Sequence, residues 1–534
     1  MLKDAFTVEP WNLRETRLDL DLLAQTESVF ALANGHVGWQ ANLDEGEPHG
    51  LPGSYLNGVY KSRPLPYAER AYGLPETGQE IINLTNGKLI RLFVNDEPFD
   101  VRYGTLRCHE QMLDFRAGVL TRRVECVSPA GHPVRVCSVR LVSFAHRAVA
   151  AICYEVESLD SRTRIAVQSE LLANEQLPPA SDDPQVGAAV EDPLREEYRD
   201  ATGTSVTLVH QTRRSGLRVR AAMDHLIDGP APVWSDSRSF GDGGLVTVAT
   251  VLQAGQKLRV IKFVGYGWSG ERSLPAVRDQ VWAAVTVAQQ AGWDGLLAEQ
   301  RSFLDQFWDR AEVQQAVRFA LFQVLQAGAR AENRPIPAKG LTGPGYSGHT
   351  FWDTETFVLP MLNFTAPDAA ANALRWRHST LRLALNRATQ LGLAGAAFPW
   401  RTIVGAECSG YWPAGTAAFH VNADIAIAAV RYADATGDEE FARGPGLDLL
   451  THTARLWRSL GYHDDQGRFH IDGVTGPGEY SAFADDNVYT NLGAAKNLVA
   501  AAAAKRYPER ARDLGVSEEE AAARVGVPER NTRR

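Results

Sequence analysis

LPAVRDQVWAAVTVAQQAGWDGLLAEQRSFLDQF, Leu274 to Phe307, is where this chain changes its period. Apolar residues recur there at helical spacing on an Ala- and Gln-rich background, which predicts one or two helices linking two different regions. Before it, up to about Trp268, the apolar runs are short and strand-like. Val149–Leu159 and Arg162–Leu171 are two such runs separated by a turn. Leu245–Leu252 and Leu258–Val264 read as a hairpin through Ala254-Gly255-Gln256. Many runs of this kind, broken by Gly, Pro, Asp and Asn, predict an antiparallel sandwich. Pro178–Asp200 is acidic and apolar-poor and reads as a surface loop or an excursion between strands. Trp282, Trp293 and Trp308 read as packing residues.

After it the chain turns helical. Val313–Ala331 is amphipathic and ends before Pro335 and Pro337. Further helices are expected at Thr356–Asn363, Asp368–Leu391, Thr416–Thr436, Glu439–Leu460 and Asn487–Lys505. Helices paired through loops rich in Gly, Pro, Trp and Asp predict an α/α toroid with its site on one rim. The expected fold is therefore multidomain, α and β. It has an N-terminal antiparallel β-sandwich (1–270), a helical linker (271–312) and a helical catalytic domain (313–534).

Composition bounds the class. A chain of 534 residues exceeds one core and suits two to four domains. Its 44% hydrophobic and 22% charged content is that of an ordinary globular protein. The net charge of −9 is spread out, without the basic tract that nucleic acid or a polybasic membrane anchor calls for. MLKDAFTVEPWNL lacks a signal-peptide core and no run of eighteen apolar residues occurs, so the expectation is a cytoplasmic protein. Five cysteines without CxxC spacing predict free buried thiols, with neither a zinc site nor a disulfide framework.

Two stretches concentrate the chemistry. In GYSGHTFWDTETFVLPML, Gly345 to Leu362, Trp352 offers a flat apolar plate for a sugar ring and Asp353 a carboxylate to accept its hydroxyl protons. A plainer role also fits, with Trp352 a core aromatic and Asp353 or Thr354 a helix cap. In VTGPGEYSAFADDNVYTNL, Val474 to Leu492, Glu479 follows a tight Gly476-Pro477-Gly478 turn. A partly buried glutamate there suits a general acid that protonates a departing glycosidic oxygen. An ordinary loop salt bridge is the alternative for Glu479.

These two stretches, with Phe398–Ile425 between them and Ser28–Leu43 (SVFALANGHVGWQANL) near the start, resemble glycoside hydrolase family 65, the inverting disaccharide phosphorylases. The resemblance implies roles at matching positions. Glu479 sits where the general acid sits, and Trp352 and Asp353 match the pair that holds the glucosyl ring being transferred. His349 and Lys339 flank that subsite. FPWRTIVGAECSGYWPAGTAAFHVNADIA, Phe398 to Ala426, looks most like the trehalose phosphorylase branch. It makes Arg401, Glu407, Tyr411 and His420 candidates for the acceptor-side pocket. Cys408 is read as a buried thiol, because inversion needs no covalent intermediate.

The chain also departs from the family pattern. Gly478 stands where an acidic residue usually precedes the catalytic glutamate, which removes a like charge and should lower the acid's pKa. Asp309–Gln314 looks shortened. Nothing after Lys505 resembles the family's lysine–glutamine sugar contact or its phosphate-binding loop, so an (α/α)6-type toroid missing its C-terminal half is expected.

The expected function is inverting phosphorolysis of an α-glucosyl disaccharide, most simply trehalose, to β-glucose 1-phosphate and glucose. No metal or organic cofactor is expected, and inorganic phosphate is the co-substrate. Expected partners are the disaccharide and phosphate, with no nucleic acid or membrane. A homodimer, or a separate chain that completes the barrel, is also compatible. A trehalase-like hydrolase and an inactive sugar-binding fragment are the alternatives.

Overall fold

The computed structural model describes residues 7–50, 52–69, 71–160, 162–176, 192–309, 315–478, 483–517 and 520. The chain divides into two compact units. The first comprises Met1–Lys61, Ile81–Arg330 and Lys339–Ser347, and the second Ser62–Glu80, Ala331–Ala338 and Gly348–Arg534.

The first unit is built on two antiparallel sheets. The larger orders its ten strands Thr7–Val8, Asn12–Glu15, Thr105–Asp114, Val119–Val127, Pro133–Val142, Val149–Ser158, Lys257–Ser269, Arg218–Asp228, Ser205–Thr212 and Leu194–Thr202. The smaller runs Trp234–Phe240, Gly243–Leu252, Thr163–Leu172, Ile90–Val94 and Glu97–Pro98. Alternation does the sorting. In Thr163–Leu172 every second residue from Thr163 to Leu171 is buried, as a one-sided sheet requires.

The expected hairpin through Gly255 does not form. Gly243–Leu252 pairs with Thr163–Leu172, with Leu252 opposite Thr163, whereas Lys257–Ser269 pairs with Val149–Ser158 in the other sheet. The intervening turn spends its polar groups on a neighbouring crossing instead. The Gly255 N–H donates to the Ser158 carbonyl at 2.7 Å, and the Ser158 N–H donates to the Gln256 carbonyl at 3.2 Å. Both connections thus change sheets side by side.

The acidic stretch is also more ordered than its composition implied. Leu194–Thr202 is the edge strand of the large sheet, paired with Ser205–Thr212. Only Leu194 in it is buried, so there was no apolar alternation to read. The rest of that stretch, up to residue 191, lies outside the described residues.

Leu274–Trp308 is helical with a break at Gly292 (φ 68°, ψ 178°), which makes it two helices end to end. It packs on the large sheet through Val281, Val285, Ala288, Trp293 and Leu296, against Ala151, Ala222 and Phe263. Two glycines permit that approach, since a Cβ on Gly265 or Gly267 would lie 2.7 Å from Val285 or 2.6 Å from Val281. The next helix, Gln315–Gly328, belongs to the same unit. Phe322 meets Phe115 and Phe144 with ring centroids 5.9 and 6.4 Å apart, and the Gln326 side-chain Oε1 accepts the Ala33 N–H at 2.9 Å. The two compact units thus divide near residue 330, because apolar burial against the sheet holds Leu274–Trp308 and Gln315–Gly328 in the first. Trp293 and Trp308 are buried, whereas Trp282 is 41% exposed. Cys108 is exposed, unlike buried Cys126, Cys153 and Cys408.

The second unit is helical, with Leu359–Thr365, Pro367–Ser379, Leu381–Gln390, Trp412–Ala417, His420–Thr436, Leu447–Leu460, Val488–Ala501 and Pro508–Asp513. The expected helix at 368–391 is broken at Thr380 (φ −91°, ψ 1°) into two. Its core joins Ala423, Ala426, Leu450, Ala454, Trp457, Ala494 and Leu498. His420–Thr436 and Val488–Ala501 approach closely at Gly493, where a Cβ would fall 2.8 Å from that of Ala423. Gly437 in the left-handed region (φ 69°) ends the former helix. No helix among the described residues is long and apolar enough to cross a membrane.

Candidate active site

Of the sequence-predicted site residues, seven fall in the helical unit: His349, Trp352, Asp353, Arg401, Glu407, Tyr411 and His420. Two loops are brought together by a bridge between Thr350 and Thr402, whose amides and carbonyls bond at 2.9 and 3.3 Å. From that bridge the chain passes through Trp352 and Asp353 into a wide turn of π type, Thr354–Val358, before the Leu359–Thr365 helix. Such turns splay side chains that a regular helix would stack.

The capping role does not hold. The Asp353 side chain makes no capping hydrogen bond and is exposed. The Thr354 hydroxyl instead meets that of Thr350 at 2.9 Å and the Ile336 carbonyl at 3.3 Å. Glu355 is the committed carboxylate of this loop. Both its oxygens bind Arg377 of the Pro367–Ser379 helix, at 2.6 and 3.1 Å, with both residues buried.

Trp352 is half-buried, which suits a plate better than a core position. Its ring sits edge-to-face with His420 at 5.1 Å and 87°, and lies 5.5 Å from Phe357 and 6.1 Å from Tyr489. His420 is fully buried, also flanked by Trp400 at 5.7 Å, and its Nδ1 lies 2.9 Å from Asp424. The Tyr489 hydroxyl donates to the other Asp424 oxygen at 2.7 Å. Burial, then this bond to a carboxylate, raises the Tyr489 pKa. Sequence reading passed over Asp424 and Trp400. The i, i+4 spacing of His420 and Asp424 on one helix was the available signal.

The acceptor-side candidates divide. Glu407 is buried and its carboxylate is used up by the loop it sits in. It accepts the N–H groups of Trp400 at 2.6 Å, Cys408 at 2.9 Å and Ser409 at 2.8 Å. Burial raises its pKa, and these bonds only partly offset that. Arg401 is part-buried with no partner for its Nε among the described residues, and burial lowers its pKa. Tyr411 is 63% exposed, on the rim rather than in a pocket. Burial pushes the Cys408 thiol up to about 12, which keeps it protonated and a poor nucleophile.

His349 is buried, and neither ring nitrogen has a hydrogen-bond partner among the described residues. Burial, then the Arg401 charge, lowers its pKa to about 3, so the imidazole is neutral at neutral pH. Lys339 falls in the first unit, exposed, with its ammonium 5.8 Å from the Tyr346 ring centroid. Val474 and Ala484 exchange bonds of 3.1 and 2.9 Å at the base of the loop that contains Glu479, but Glu479 itself lies outside the described residues.

Segment 62–80, expected in the sandwich, belongs instead to the helical unit. The Gln79 side-chain Oε1 accepts the N–H groups of Ile403 and Val404 at 2.8 and 3.0 Å. Arg387 donates to the carbonyls of Gly73 and Gly415 at 2.6 and 2.9 Å. Residues 73–77 form one wall of a cavity of about 430 Å3, and Asn386, Arg387, Gln390 and Glu407 line the other. No group of three or more His, Cys, Asp or Glu among the described residues could hold a metal ion.

Comparison with known proteins places both units. A family model described as the glycosyl hydrolase family 65 N-terminal domain matches residues 13–307, and one described as the family's central catalytic domain matches 318–530. A Mycobacterium leprae (strain TN) protein described as an uncharacterized glycosyl hydrolase is 57% identical over 530 residues, 98% of this chain and 67% of its own length. The α,α-trehalose phosphorylase of Thermoanaerobacter brockii is 34% identical over 511 residues, 93% of this chain and 66% of its own. Maltose and kojibiose phosphorylases match at 27 to 28% identity. Among solved structures, a human-microbiome protein named as a candidate kojibiose phosphorylase shares the fold. Its TM-score is 0.89 at 24% identity, over 97% of this chain and 69% of that one. The chain thus spans about two thirds of the length of these relatives.

Proposed function

This chain belongs to glycosyl hydrolase family 65, and on that premise we propose that it carries the donor side of an inverting phosphorylase of an α-glucosyl disaccharide, trehalose in the first place. The observation that carries the reading is the half-buried Trp352 plate with a free Asp353 beside it, inside a catalytic-domain match. Identity of 34% to a trehalose phosphorylase, against 27 to 28% to maltose and kojibiose enzymes, favours trehalose.

In this mechanism Trp352 stacks on the glucosyl ring and Asp353 accepts its hydroxyl protons. Glu479 gives its proton to the bridging oxygen while phosphate attacks the anomeric carbon from the opposite face. The C–O bond to the departing glucose breaks, a C–O bond to phosphate forms, and β-glucose 1-phosphate results. Phosphate is the co-substrate, and no metal or organic cofactor takes part. Arg401, Glu407 and Tyr411 shape the side that takes the leaving glucose, Glu407 through the loop it braces, and His420 stands behind the Trp352 plate. His349 flanks the donor subsite. The helical unit is read as helices of an (α/α)-type toroid.

Glucose release from trehalose in the presence and absence of phosphate tests the reading. Phosphorolysis predicts phosphate-dependent release with β-glucose 1-phosphate formed in equal amount. Equal release without phosphate makes the protein a hydrolase instead, a reading that the description of the mycobacterial relative keeps in view. Glu479→Gln is expected to abolish turnover and keep trehalose binding, and unchanged turnover removes Glu479 from the mechanism.

A further inference from the structure

The indole of Trp352 turns about a broad side-chain torsion, so its neighbours decide its tilt. Three rings among the described residues touch it. Phe357 is 64% exposed and offers little restraint. The other two, His420 and Tyr489, also meet each other edge-to-face at 5.5 Å and 88°. One carboxylate tethers both. Asp424, 5% exposed, holds His420 Nδ1 with one oxygen and receives the Tyr489 hydroxyl on the other, at 2.9 and 2.7 Å. The tethered rings come from two helices, His420–Thr436 and Val488–Ala501, which the close approach at Gly493 locks together. Trp400 closes another side of the imidazole at 5.7 Å and 84°.

We propose that Asp424 is a positioning residue, which through His420 and Tyr489 fixes the tilt of Trp352 and so the sugar ring stacked on it. This rests on the sugar-binding reading above. Each ring contact is weak alone and counts only while the rings stay put. Two charge-assisted bonds to a buried carboxylate supply that constraint. The same carboxylate meets His420 through Nδ1 alone, since the buried Nε2 has no hydrogen-bond partner among the described residues. An amide at 424 cannot accept from both neighbours and satisfy its own N–H groups without reversing one of these bonds.

The test uses the whole chain with 15N-labelled tryptophan. The Trp352 indole resonance is identified by its loss in Trp352→Phe. In unliganded Asp424→Asn and Tyr489→Phe that resonance is expected to shift. The trehalose dissociation constant is expected to rise roughly tenfold in the first variant and less in the second, with kcat at saturating trehalose within about twofold. A resonance unmoved in both variants overturns the proposal, as does a moved resonance with unchanged trehalose affinity. If Asp424→Asn does not fold, Tyr489→Phe alone decides by the same two readings. Wild-type protein that binds no trehalose refutes the sugar-binding reading and the proposal's sugar half. The resonance then reports separately on whether Asp424 sets the indole.

Discussion

Arg377→Met tests what holds the Trp352–Asp353 loop. Glu355, at the start of the π-type turn, and Arg377, on the Pro367–Ser379 helix, are 2% and 1% exposed and joined by bonds of 2.6 and 3.1 Å. Removing the guanidinium leaves a carboxylate buried without its cation. Breaking such a pair costs about 3–5 kcal/mol. An independent count agrees: two bonds to charged groups at about 1.5–3 kcal/mol each give about 3–6 kcal/mol. Glu355→Gln with Arg377→Met should cost much less than the two single changes added, because the stranded charge disappears along with its partner.

Urea unfolding followed by far-ultraviolet circular dichroism at 222 nm reads this out. With a slope of about 2 kcal/mol per molar urea, the helical transition in Arg377→Met should fall by roughly 1.5–2.5 M. A fall under about 0.5 M, or a double variant as unstable as the sum of its parts, would refute the claim that this pair anchors the loop. Trehalose binding should weaken in parallel, since the turn carries Trp352 and Asp353 at its mouth.

Trp352→Ala should weaken trehalose binding about tenfold or more, and Trp352→Phe less, because a smaller ring keeps part of the stacking face; calorimetric titration measures both. Gly395→Ala should destabilise the helical unit by about 2 kcal/mol or more. Gly395 sits at φ 78° and an added Cβ would lie 2.3 Å from the His452 carbonyl oxygen; the urea midpoint is the readout. Glu15 of the sandwich unit, 4% exposed, has its pKa raised from 4.5 to about 7 by burial and then by Asp19. Its contribution to stability is full below pH 4.5 and is lost as pH rises through 7. Glu15→Gln should therefore flatten the decline in melting temperature that wild type shows between pH 5 and 8, and an unchanged decline assigns it to another group.

The period change near Leu274 was legible because interior helices and strands leave opposite spacings in sequence. Val149–Ser158, Thr163–Leu172 and the helices beyond Leu359 all follow from it. What spacing could not carry was partnership. Gly243–Leu252 and Lys257–Ser269 look like a hairpin because the turn between them is short, yet a turn also serves a chain that changes sheets. Leu194–Thr202 was illegible for a different reason: an edge strand wet on most of its length has nothing to alternate. Leu274–Trp308 was legible as helix and illegible as part of the β-rich unit, since the sheet surface that receives it is assembled from Val119, Leu141, Ala151 and Ala222, residues far back in the sequence.

The candidate site repeats the lesson at the scale of single groups. Residue types in the 398–420 stretch read as sugar chemistry in the sequence, but a carboxylate's use depends on who reaches it first. Glu407 looked like a ligand for a second sugar, and three backbone N–H groups within 3 Å have already taken its oxygens. A buried carboxylate so occupied has little left to offer a hydroxyl, and freeing it would strand those amides. What it does in the structure is brace the loop that carries Arg401 and Tyr411. Asp353 is the converse case. Its alternative is a helix cap, yet no helix amide among the described residues claims its side chain, which leaves an exposed carboxylate next to the indole.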